Sequence, residues 1–513
     1  MKKRIRQLAA LGLACLLVLG GCGEKKEESA AEPVIEEIEE VIEEIEEPAV
    51  PEEEQKLPLN VHVTENQKTY YFEEGEQAYL YLQYCDVEIS GDGYDSLKRN
   101  VEKWSMERSE GLRSLYSSFE ETAAEEAEGN ENFYGYSLYQ TVSTARADEN
   151  VLSLKDDTYQ YSGGEHGMHY REGVNFDAQT GKRLKLTDVI SDWENFSKDA
   201  SSSMIYYLKE TYGEELNDDY VTTVEGLWTE DTEPDWYLDA SSIVITLQEY
   251  QVGPYSVGMP EIHLPYAEFS PYIKAAYLPG TGEGAAQFQA NQEIFLELEG
   301  SYDKVPMMLQ YDVSEENAHC SLWLGENEKT LGEFMVLGNA YLLRSGEEIY
   351  CLIEMDVVSD AYETYVYRLT EGVIKEVARL DGSVDAGNVN PDGIVINSRV
   401  YLLGTYGGTK TYHFDDKGQF VTEDTEYILK SNEMVLTTKT DLSVTLEETP
   451  NVLPAGSNIV LTSTDGETYV NFTIQETGQT GTLAVEREEG ETYRLLVDGK
   501  DEYDCFETLP YAG

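Results

Sequence analysis

The sequence predicts a fold in two parts, an α+β N-terminal half in which helices pack on antiparallel sheets, and an all-β C-terminal half. Apolar residues recur at helical spacing in two stretches, 97–119 and 193–212, and alternating β-like runs surround both. From about residue 293 onward only short alternating runs recur. The length of 513 residues allows several domains.

Residues 1–22 have the features of a secretory signal peptide. A cationic start, Met1 to Arg6, precedes an apolar stretch from Leu8 to Gly21 that is too short to span a bilayer. The stretch ends in Leu-Gly-Gly-Cys22, which resembles the bacterial lipobox, in which the cysteine sulfur takes a diacylglycerol. We therefore expect Cys22 to anchor the chain to the bilayer, on the outer face of the cytoplasmic membrane of a Gram-positive bacterium. An ordinary signal peptide with an incidental cysteine is the alternative.

Residues 23–56 are predicted to form an acidic tether between this anchor and the folded domains. They contain 15 Glu and three Lys, no aromatic residue, and prolines at 33, 48 and 51. The heptad Val-Ile-Glu-Glu-Ile-Glu-Glu occurs twice, starting at 34 and 41. A charged stalk that repels itself is one interpretation, and a short oligomerising helix is the other.

The charge balance restricts the class of partner. The formal net charge is −64, and without the four basic residues of the signal peptide 32 basic residues stand against 100 acidic ones, a net charge of −68. Nucleic acid is not expected as a partner, because its phosphates would be repelled. A cationic protein would be steered toward the chain, although solubility at a crowded surface is another reason for the charge.

Four cysteines remain in the mature chain, Cys85, Cys320, Cys351 and Cys505, and their spacing matches no metal motif. Disulfides are permitted outside the cell. A bond between Cys320 and Cys351 is one possibility, but the positions of four scattered cysteines do not determine which of them pair. Free buried thiols are the alternative. We predict no metal and no other cofactor.

The first folded region, 57–150, is predicted to be an α+β domain. Segments 60–64 and 77–89 are β-like, and 134–145 and 151–161 are expected to be further strands. Between these pairs lies a helix that should end near Gly129. Its apolar stripe consists of Leu97, Val101, Trp104, Leu112, Leu115 and Phe119.

The second region, 151–280, contains the most informative motifs. A stretch Tyr161-Ser-Gly-Gly-Glu-His-Gly is followed by Asn175-Phe-Asp-Ala-Gln-Thr-Gly-Lys. A helix is predicted from the apolar residues Trp193, Phe196, Met204, Leu208 and Tyr212. Beyond it, Gln248-Glu-Tyr-Gln-Val-Gly-Pro-Tyr-Ser-Val-Gly is a loop between two strands, the second of which contains Ile262-His-Leu-Pro-Tyr.

This order of motifs resembles the PdaC/RsiV-like superfamily over residues 57–277, most strongly over 159–269. The resemblance implies a PdaC-like domain at 57–150 and an RsiV-like domain of unknown function at 151–280, both outside the membrane. Anti-sigma factors of this superfamily bind lysozyme with the region, and other members carry it ahead of a peptidoglycan deacetylase domain. Here the deacetylase signature is missing, since Asp156-Asp157 occurs without a paired-histidine motif. No transmembrane segment precedes the region, so direct sigma-factor sequestration is not expected.

The candidate ligand-binding residues lie in two loops of the second region. Loops with aromatics and rigid prolines suit contact with a partner, and structural turns are the alternative. His166 and His169 have the H-x-x-H spacing of some metal sites, but no third ligand lies near them in the sequence. Gly163, Gly164 and Gly167 are expected to allow a tight strand beside a packed ring. The candidates are Tyr161, Gly163, Gly164, His166, Gly167, Tyr250, Pro254 and Tyr255.

The sequence contains no nucleophile elbow, zinc-protease motif, P-loop or complete calcium loop. We therefore expect a binding or sensing protein of the cell envelope rather than an enzyme, with lysozyme or another cationic protein as partner. A peptidoglycan-associated module is the alternative. An envelope hydrolase or deacetylase would need a site that the sequence does not show.

The C-terminal half is predicted to consist of strands alone. Alternating runs at 295–298, 320–324, 340–344, 348–354, 364–369 and 400–403 predict a β-rich domain at 290–429, either a sandwich or an open stack of blades. Residues 430–513 are predicted to form a small β-barrel, with a Pro-Ala-Gly turn at 454–456 and a Gly-Gln-Thr-Gly turn at 478–481. These residues resemble an SH3-like barrel, and bacterial barrels of this type are often associated with the cell wall. A generic small barrel without affinity for the wall is the alternative.

Overall fold

The computed structural model describes residues 58–71, 78–128, 130, 133–228, 233–301, 303–313, 318–332, 336–358, 361–430, 434–487 and 494–511. All of them belong to one compact unit, Lys56–Gly513. The predicted signal peptide, the lipidation site Cys22 and the tether lie outside the described residues. Among the helices that are described, none is long and apolar enough to cross a membrane.

The N-terminal half combines helices and sheets, as predicted. Its strands are β1 (Asn60–Tyr71), β2 (Ala78–Ser90), β3 (Tyr136–Ala147), β4 (Val151–Tyr161), β5 (Met168–Asp177), β6 (Asp235–Leu238), β7 (Ser242–Thr246), β8 (Glu261–Pro265) and β9 (Gly284–Phe288). Its α-helices are α1 (Asp95–Ala127), α2 (Leu186–Val189), α3 (Trp193–Tyr212), α4 (Tyr220–Gly226) and α5 (Tyr266–Phe269). Single 3₁₀ turns lie at Gly213–Glu215, Tyr255–Val257, Ser270–Tyr272 and Ala275–Tyr277.

The C-terminal half consists mostly of strands, which confirms the predicted fold class. The strands of its first part are β10 (Glu293–Leu296), β11 (Val305–Val313), β12 (Ala318–Leu324), β13 (Asn327–Gly332), β14 (Val336–Ser345), β15 (Glu348–Val358), β16 (Ala361–Thr370), β17 (Val373–Asp381), β18 (Ser383–Asn390), β19 (Gly393–Tyr401), β20 (Thr405–Phe414), β21 (Phe420–Val421) and β22 (Tyr427–Lys430). The remaining elements are β23 (Val435–Thr437), β24 (Leu442–Leu446), β25 (Thr449–Leu453), β26 (Asn458–Thr464), β27 (Tyr469–Ile474), β28 (Thr480–Ala484), β29 (Glu486–Arg487), β30 (Leu495–Val497), β31 (Lys500–Asp501) and the short helix α6 (Glu502–Cys505).

The largest sheet runs through both halves in the order β1-β2-β3-β9-β14-β15-β16-β17, with β4 beside β3 and β5 beside β4. Its strands pair antiparallel except β2 and β3, which are parallel where Leu80–Gln83 meet Tyr136–Tyr139. Helix α1 is the connection between these two strands, and a parallel pair needs such a crossover. The apolar stripe of α1 packs on the sheet through Leu97, Val101 and Leu112, whereas Leu115 is exposed.

A smaller sheet, β6-β7-β8, carries helix α3 and the loops of interest. The side chain of Asp192 accepts a hydrogen bond from Asn195 N and caps the start of α3. The apolar face of the helix, formed by Phe196, Met204 and Leu208, is buried in a core shared with the small sheet. The predicted helix at 193–212 is therefore confirmed.

Polar side chains of the large sheet attach the small sheet to it. Asn175 Nδ2 donates to the carbonyl oxygen of Trp236 over 2.8 Å, and Ser153 Oγ accepts a hydrogen bond from Leu238 N over 2.9 Å. A β-carbon at Gly173 would overlap the Trp236 carbonyl, so only glycine admits this approach. The position of β6, and with it the small sheet, thus depends on three residues of β4 and β5.

The C-terminal half also contains a sheet ordered β10-β11-β12-β13 and a larger one ordered β18-β19-β20-β22-β26-β27-β28-β24-β25, in which β21 lies beside β20 and β23 beside β26. Strands β29, β30 and β31 form a small sheet of their own. The SH3-like barrel at 430–513 and the boundaries 57–150, 151–280, 290–429 and 430–513 stay predictions. The four described cysteines, Cys85, Cys320, Cys351 and Cys505, are all buried free thiols in this structure.

Candidate functional site

The two loops that contain the predicted ligand-binding residues meet in the fold. The ring of His166, from the turn between β4 and β5, stacks on the ring of Tyr255 with centroids 3.9 Å apart. The hydroxyl of Tyr250 lies 3.1 Å from His166 Nε2. Three candidate residues from two loops that are distant in the sequence therefore form one surface.

The hairpin of β4 and β5 positions His166. Gly163 and Gly164 turn the chain with φ of 92° and 99°, a region that favours glycine, and Tyr161 Oη donates to Gly164 O over 3.1 Å. A β-carbon on Gly167 would lie 2.5 Å from Cζ of Tyr159, so the glycine allows that ring to pack against the turn. The glycines and Tyr161 therefore shape the turn, and His166 provides its exposed ring.

The loop from Gln248 to Gly258 is held by its own buried residues. Val252 and Val257 are buried, and Val257 N donates to the carbonyl of Pro254 over 2.9 Å. The rings at the surface of the loop, Tyr250 and Tyr255, are 45% and 37% exposed. The loop thus presents two aromatic rings on a fixed backbone.

Two polar side chains fasten this loop to β5. The amide of Gln248 donates to the carbonyl of Arg171 over 2.7 Å and accepts from the Arg171 N–H over 3.1 Å. The carboxylate of Glu249 accepts from the backbone N–H of His169 over 3.0 Å. Because these bonds join the loop directly to the hairpin, the contact between His166 and Tyr255 is built into the fold.

A row of rings continues from the two loops across the large sheet. Tyr139, Tyr159 and His169 are direct neighbours on β3, β4 and β5, and the centroids of Tyr159 and His169 are 4.7 Å apart. Tyr139 stacks on Tyr159 at 6.3 Å. We call the whole set the aromatic patch; it consists of Tyr139, Tyr159, His166, His169, Tyr250 and Tyr255.

Sequence reasoning missed Tyr139 and Tyr159 and considered His169 only as a metal ligand. The alternation of aromatics in 134–145 and 151–161 was the available signal, but the register of three strands decides which rings become neighbours. Pro254 contributes through the backbone, since its carbonyl accepts the turn hydrogen bond from Val257.

The ring of His166, one of the two residues of the H-x-x-H spacing, takes part in hydrogen bonds within the fold. Nδ1 of His166 lies 2.9 Å from the carbonyl of Gly167 and its Nε2 faces Tyr250, so both ring nitrogens have hydrogen-bond partners. The described part of the chain holds no group of three or more His, Cys, Asp or Glu placed to bind a metal.

A network of partly buried charges joins β4, β5 and β8. Arg171 contacts Asp157 through Nε and Glu261 through Nη1, each over 2.5 Å, and Tyr237 Oη donates to Glu261 over 2.6 Å. Burial acts to raise the pKa of Glu261, but the cations of Lys155 and Arg171 hold it below its ordinary value. Burial lowers the pKa of Lys155. Because the charges are paired, the network supports β5 and β8 rather than offering a reactive group.

One trio has the residue types of a hydrolase triad but not its geometry. Ser242 Oγ lies 2.9 Å from Nδ1 of His263, and Asp239 Oδ2 lies 3.4 Å from the same nitrogen. A triad requires the serine and the carboxylate on opposite ring nitrogens. Ser242 is also fully buried and donates to Asp239 Oδ1 over 3.0 Å. This trio stabilises the turn between β6 and β7.

Part of this site is similar to a family without an assigned function. Residues 188–267 match the family described as protein of unknown function (DUF3298), a range that includes Tyr250 and Tyr255 but not His166. A DUF3298 family protein from Pseudomonas aeruginosa PAO1 is similar in structure, with 21% identity over 44% of this chain and 98% of that one, and a TM-score of 0.33. A DUF3298 family member from Bacteroides fragilis NCTC 9343 has 18% identity over 43% and 96%, with a TM-score of 0.34. No curated protein matches the sequence.

Proposed function

We propose that this chain is a lipid-anchored binding or sensing protein of the bacterial cell envelope, and that its aromatic patch contacts a cationic protein such as lysozyme. The observation that carries the proposal is the stacking of His166 on Tyr255 beside exposed Tyr250. Tyrosine rings give large contact areas at low entropic cost, and their faces attract lysine and arginine side chains. Glu165 and Glu249 lie next to these rings in the sequence and form no ion pair within the described ranges.

The sequence resemblance to the PdaC/RsiV-like superfamily supports the same proposal. Two of the four motifs that carry the resemblance, at 161–167 and 248–258, contribute His166, Tyr250 and Tyr255 to the patch. In that superfamily, anti-sigma factors bind lysozyme with this region. The acidic balance of the chain, 100 Asp and Glu against 36 Lys and Arg, would steer a cationic partner toward it.

Titration of the fragment 56–513 with lysozyme at physiological salt tests the proposal. The double variant Tyr250→Ala/Tyr255→Ala should bind at least tenfold more weakly, since buried tyrosines often dominate binding energy. Affinity should also fall as salt is added, because charge attraction is screened.

The matched control is Tyr206→Ala/Tyr134→Ala, which removes two tyrosines that are 68% and 84% exposed outside the patch. It should bind lysozyme like the wild type. If the wild-type fragment forms no complex, lysozyme is not the partner. Equal loss of affinity in both double variants would show that lysozyme does not bind specifically at the patch.

A further inference from the structure

A cavity of about 370 Å³ lies apart from the aromatic patch, between the small sheet and the strands of the C-terminal half. Its walls include Tyr266 of α5, Ala286 of β9, Phe295 of β10 and Leu342 of β14. None of the patch residues lines it. Small-molecule sites in proteins are concave, mostly apolar and of about this volume, with a few placed polar groups.

Most charges in the wall of the cavity already have partners. Arg146 is buried and donates to Asp148 over 2.7 Å and to the carbonyls of Tyr277 and Leu278, each over 2.8 Å. Lys304 pairs with Glu297 over 3.1 Å. The charges within each pair neutralise one another, and the carboxylate of Glu293 and the guanidinium of Arg344 also line the cavity.

Arg344 on β14 differs from the other two cations. Its guanidinium makes no hydrogen bond or ion pair with any residue in the described part of the chain. It stands where the cavity meets a second one of about 710 Å³, since both are lined by Arg344, Lys304, Glu297 and Thr281. Burial lowers the pKa of Arg344, although Glu149, Glu297 and Asp148 act in the opposite direction. An arginine that is partly desolvated without a partner costs free energy that an anionic ligand would recover.

We propose that this cavity binds a small monocarboxylate with an apolar body, whose carboxylate is held by Arg344. A guanidinium forms two parallel hydrogen bonds with a carboxylate, which fixes both position and orientation. Phe295, Leu342 and Ala286 supply apolar contacts for the rest of the ligand. Arg344 offers one guanidinium to one carboxylate, and the carboxylates of Glu149, Glu297 and Asp148 near it disfavour a doubly charged anion such as phosphate. The carboxylate comes either from a free small acid or from the carboxyl end of a peptide.

Binding of N-acetyl-L-leucine to the fragment 56–513, measured by calorimetry, tests this site. The acid should bind at least tenfold more tightly than N-acetyl-L-leucinamide, which has the same shape without the charge. Arg344→Gln should weaken binding of the acid at least tenfold and leave the amide unchanged. The charge-matched control is Arg399→Gln, an exposed residue that does not line the cavity.

Ala286→Leu provides an independent variant, because it adds volume inside the cavity and leaves Arg344 in place. It should also reduce binding of the acid, while circular dichroism and thermal unfolding confirm that each variant folds. Comparison with the tripeptide acid acetyl-Ala-Ala-Leu assigns the source: tighter binding of the tripeptide indicates a peptide end, and equal or weaker binding a free acid.

The proposal would be overturned by equal affinity for acid and amide, by an Arg344→Gln variant that binds the acid like the wild type, or by inorganic phosphate binding more tightly than the acid. Absence of binding by both acids would also overturn it. None of these measurements involves lysozyme. They therefore test the carboxylate site beside Arg344 independently of the function proposed for the aromatic patch.

Discussion

Glu354 is buried and Glu261 is partly buried, and their surroundings shift their pKa values in opposite directions. Glu261 has Lys155 and Arg171 as neighbours, which outweigh its burial and lower its pKa. Glu354 accepts hydrogen bonds from Asn339 and from Val384 N, and burial raises its pKa. Neutral donors therefore do not compensate the loss of water as the two cations do.

Substitution of these glutamates should produce opposite pH dependence of stability. The loss of unfolding free energy caused by Glu261→Gln should be largest above the ordinary glutamate pKa of 4.5 and should shrink as pH falls through the lowered folded pKa. The loss of unfolding free energy caused by Glu354→Gln should be largest below the ordinary glutamate pKa of 4.5. It should shrink as pH rises through the raised folded pKa of Glu354. Urea unfolding of wild type and both variants across this pH range measures the two slopes. Slopes of the same sign would contradict the assignment.

Gly173 illustrates how a single absent side chain sets the distance between two sheets. Gly173→Ala should lower the unfolding free energy by about 3 kcal/mol or more, because the added methyl group overlaps the backbone carbonyl of Trp236, which cannot rotate away. Gly111→Ala, in α1 with no atom near the added methyl group, is the control and should raise stability by up to about 1 kcal/mol. Thermal or urea unfolding compares them. Near-equal stability of Gly173→Ala and wild type would mean that β6 does not lie against β5 as described.

At the scale of elements, two asparagines of β18 act as a partner for strand β1. Asn390 accepts from Val61 N over 2.7 Å and donates to Val61 O over 2.7 Å. Asn388 makes the same pair of bonds with Val63, over 3.1 and 3.0 Å. The two side-chain amides thus form hydrogen bonds with backbone N–H and C=O groups of β1, as a neighbouring strand would. They join the first strand to the C-terminal half.

Asn390→Asp should destabilise this junction by about 1–3 kcal/mol, because a carboxylate oxygen then faces the carbonyl of Val61 in a buried position. The control is Asn217→Asp, an exposed asparagine that makes the same change of charge away from β1. Urea unfolding gives both values. An Asn390→Asp variant as stable as the control would show that β1 is held by other contacts.

The elements that local patterns determine could be predicted from the sequence. The stripe from Leu97 to Phe119 and the one from Trp193 to Tyr212 fall within α1 and α3, because helical periodicity is visible in a single stretch of sequence. The parallel pairing of β2 with β3 and the continuation of the sheet through β9 into β14 could not be predicted. Those pairings join residues far apart in the sequence, and tertiary packing selects them.

At the scale of the whole molecule, the sequence could predict the loop residues of the candidate site but not how they are brought together. These residues could be identified because glycine, proline and aromatic residues concentrate in two short motifs. The contact of His166 with Tyr255 depends on the docking of the small sheet, on Gln248 and on Glu249, which no local pattern displays. The cavity beside Arg344 is formed by strands from both halves and had no sequence signal.

Hydrogen–deuterium exchange can show whether the aromatic patch is the proposed contact surface for a cationic partner. The fragment 56–513 is measured alone and with saturating lysozyme at physiological salt. We expect lysozyme to slow amide exchange at 161–170 and 248–258, with little change in the strands of 434–487. Protection confined to the C-terminal half, or no protection at saturation, would contradict it.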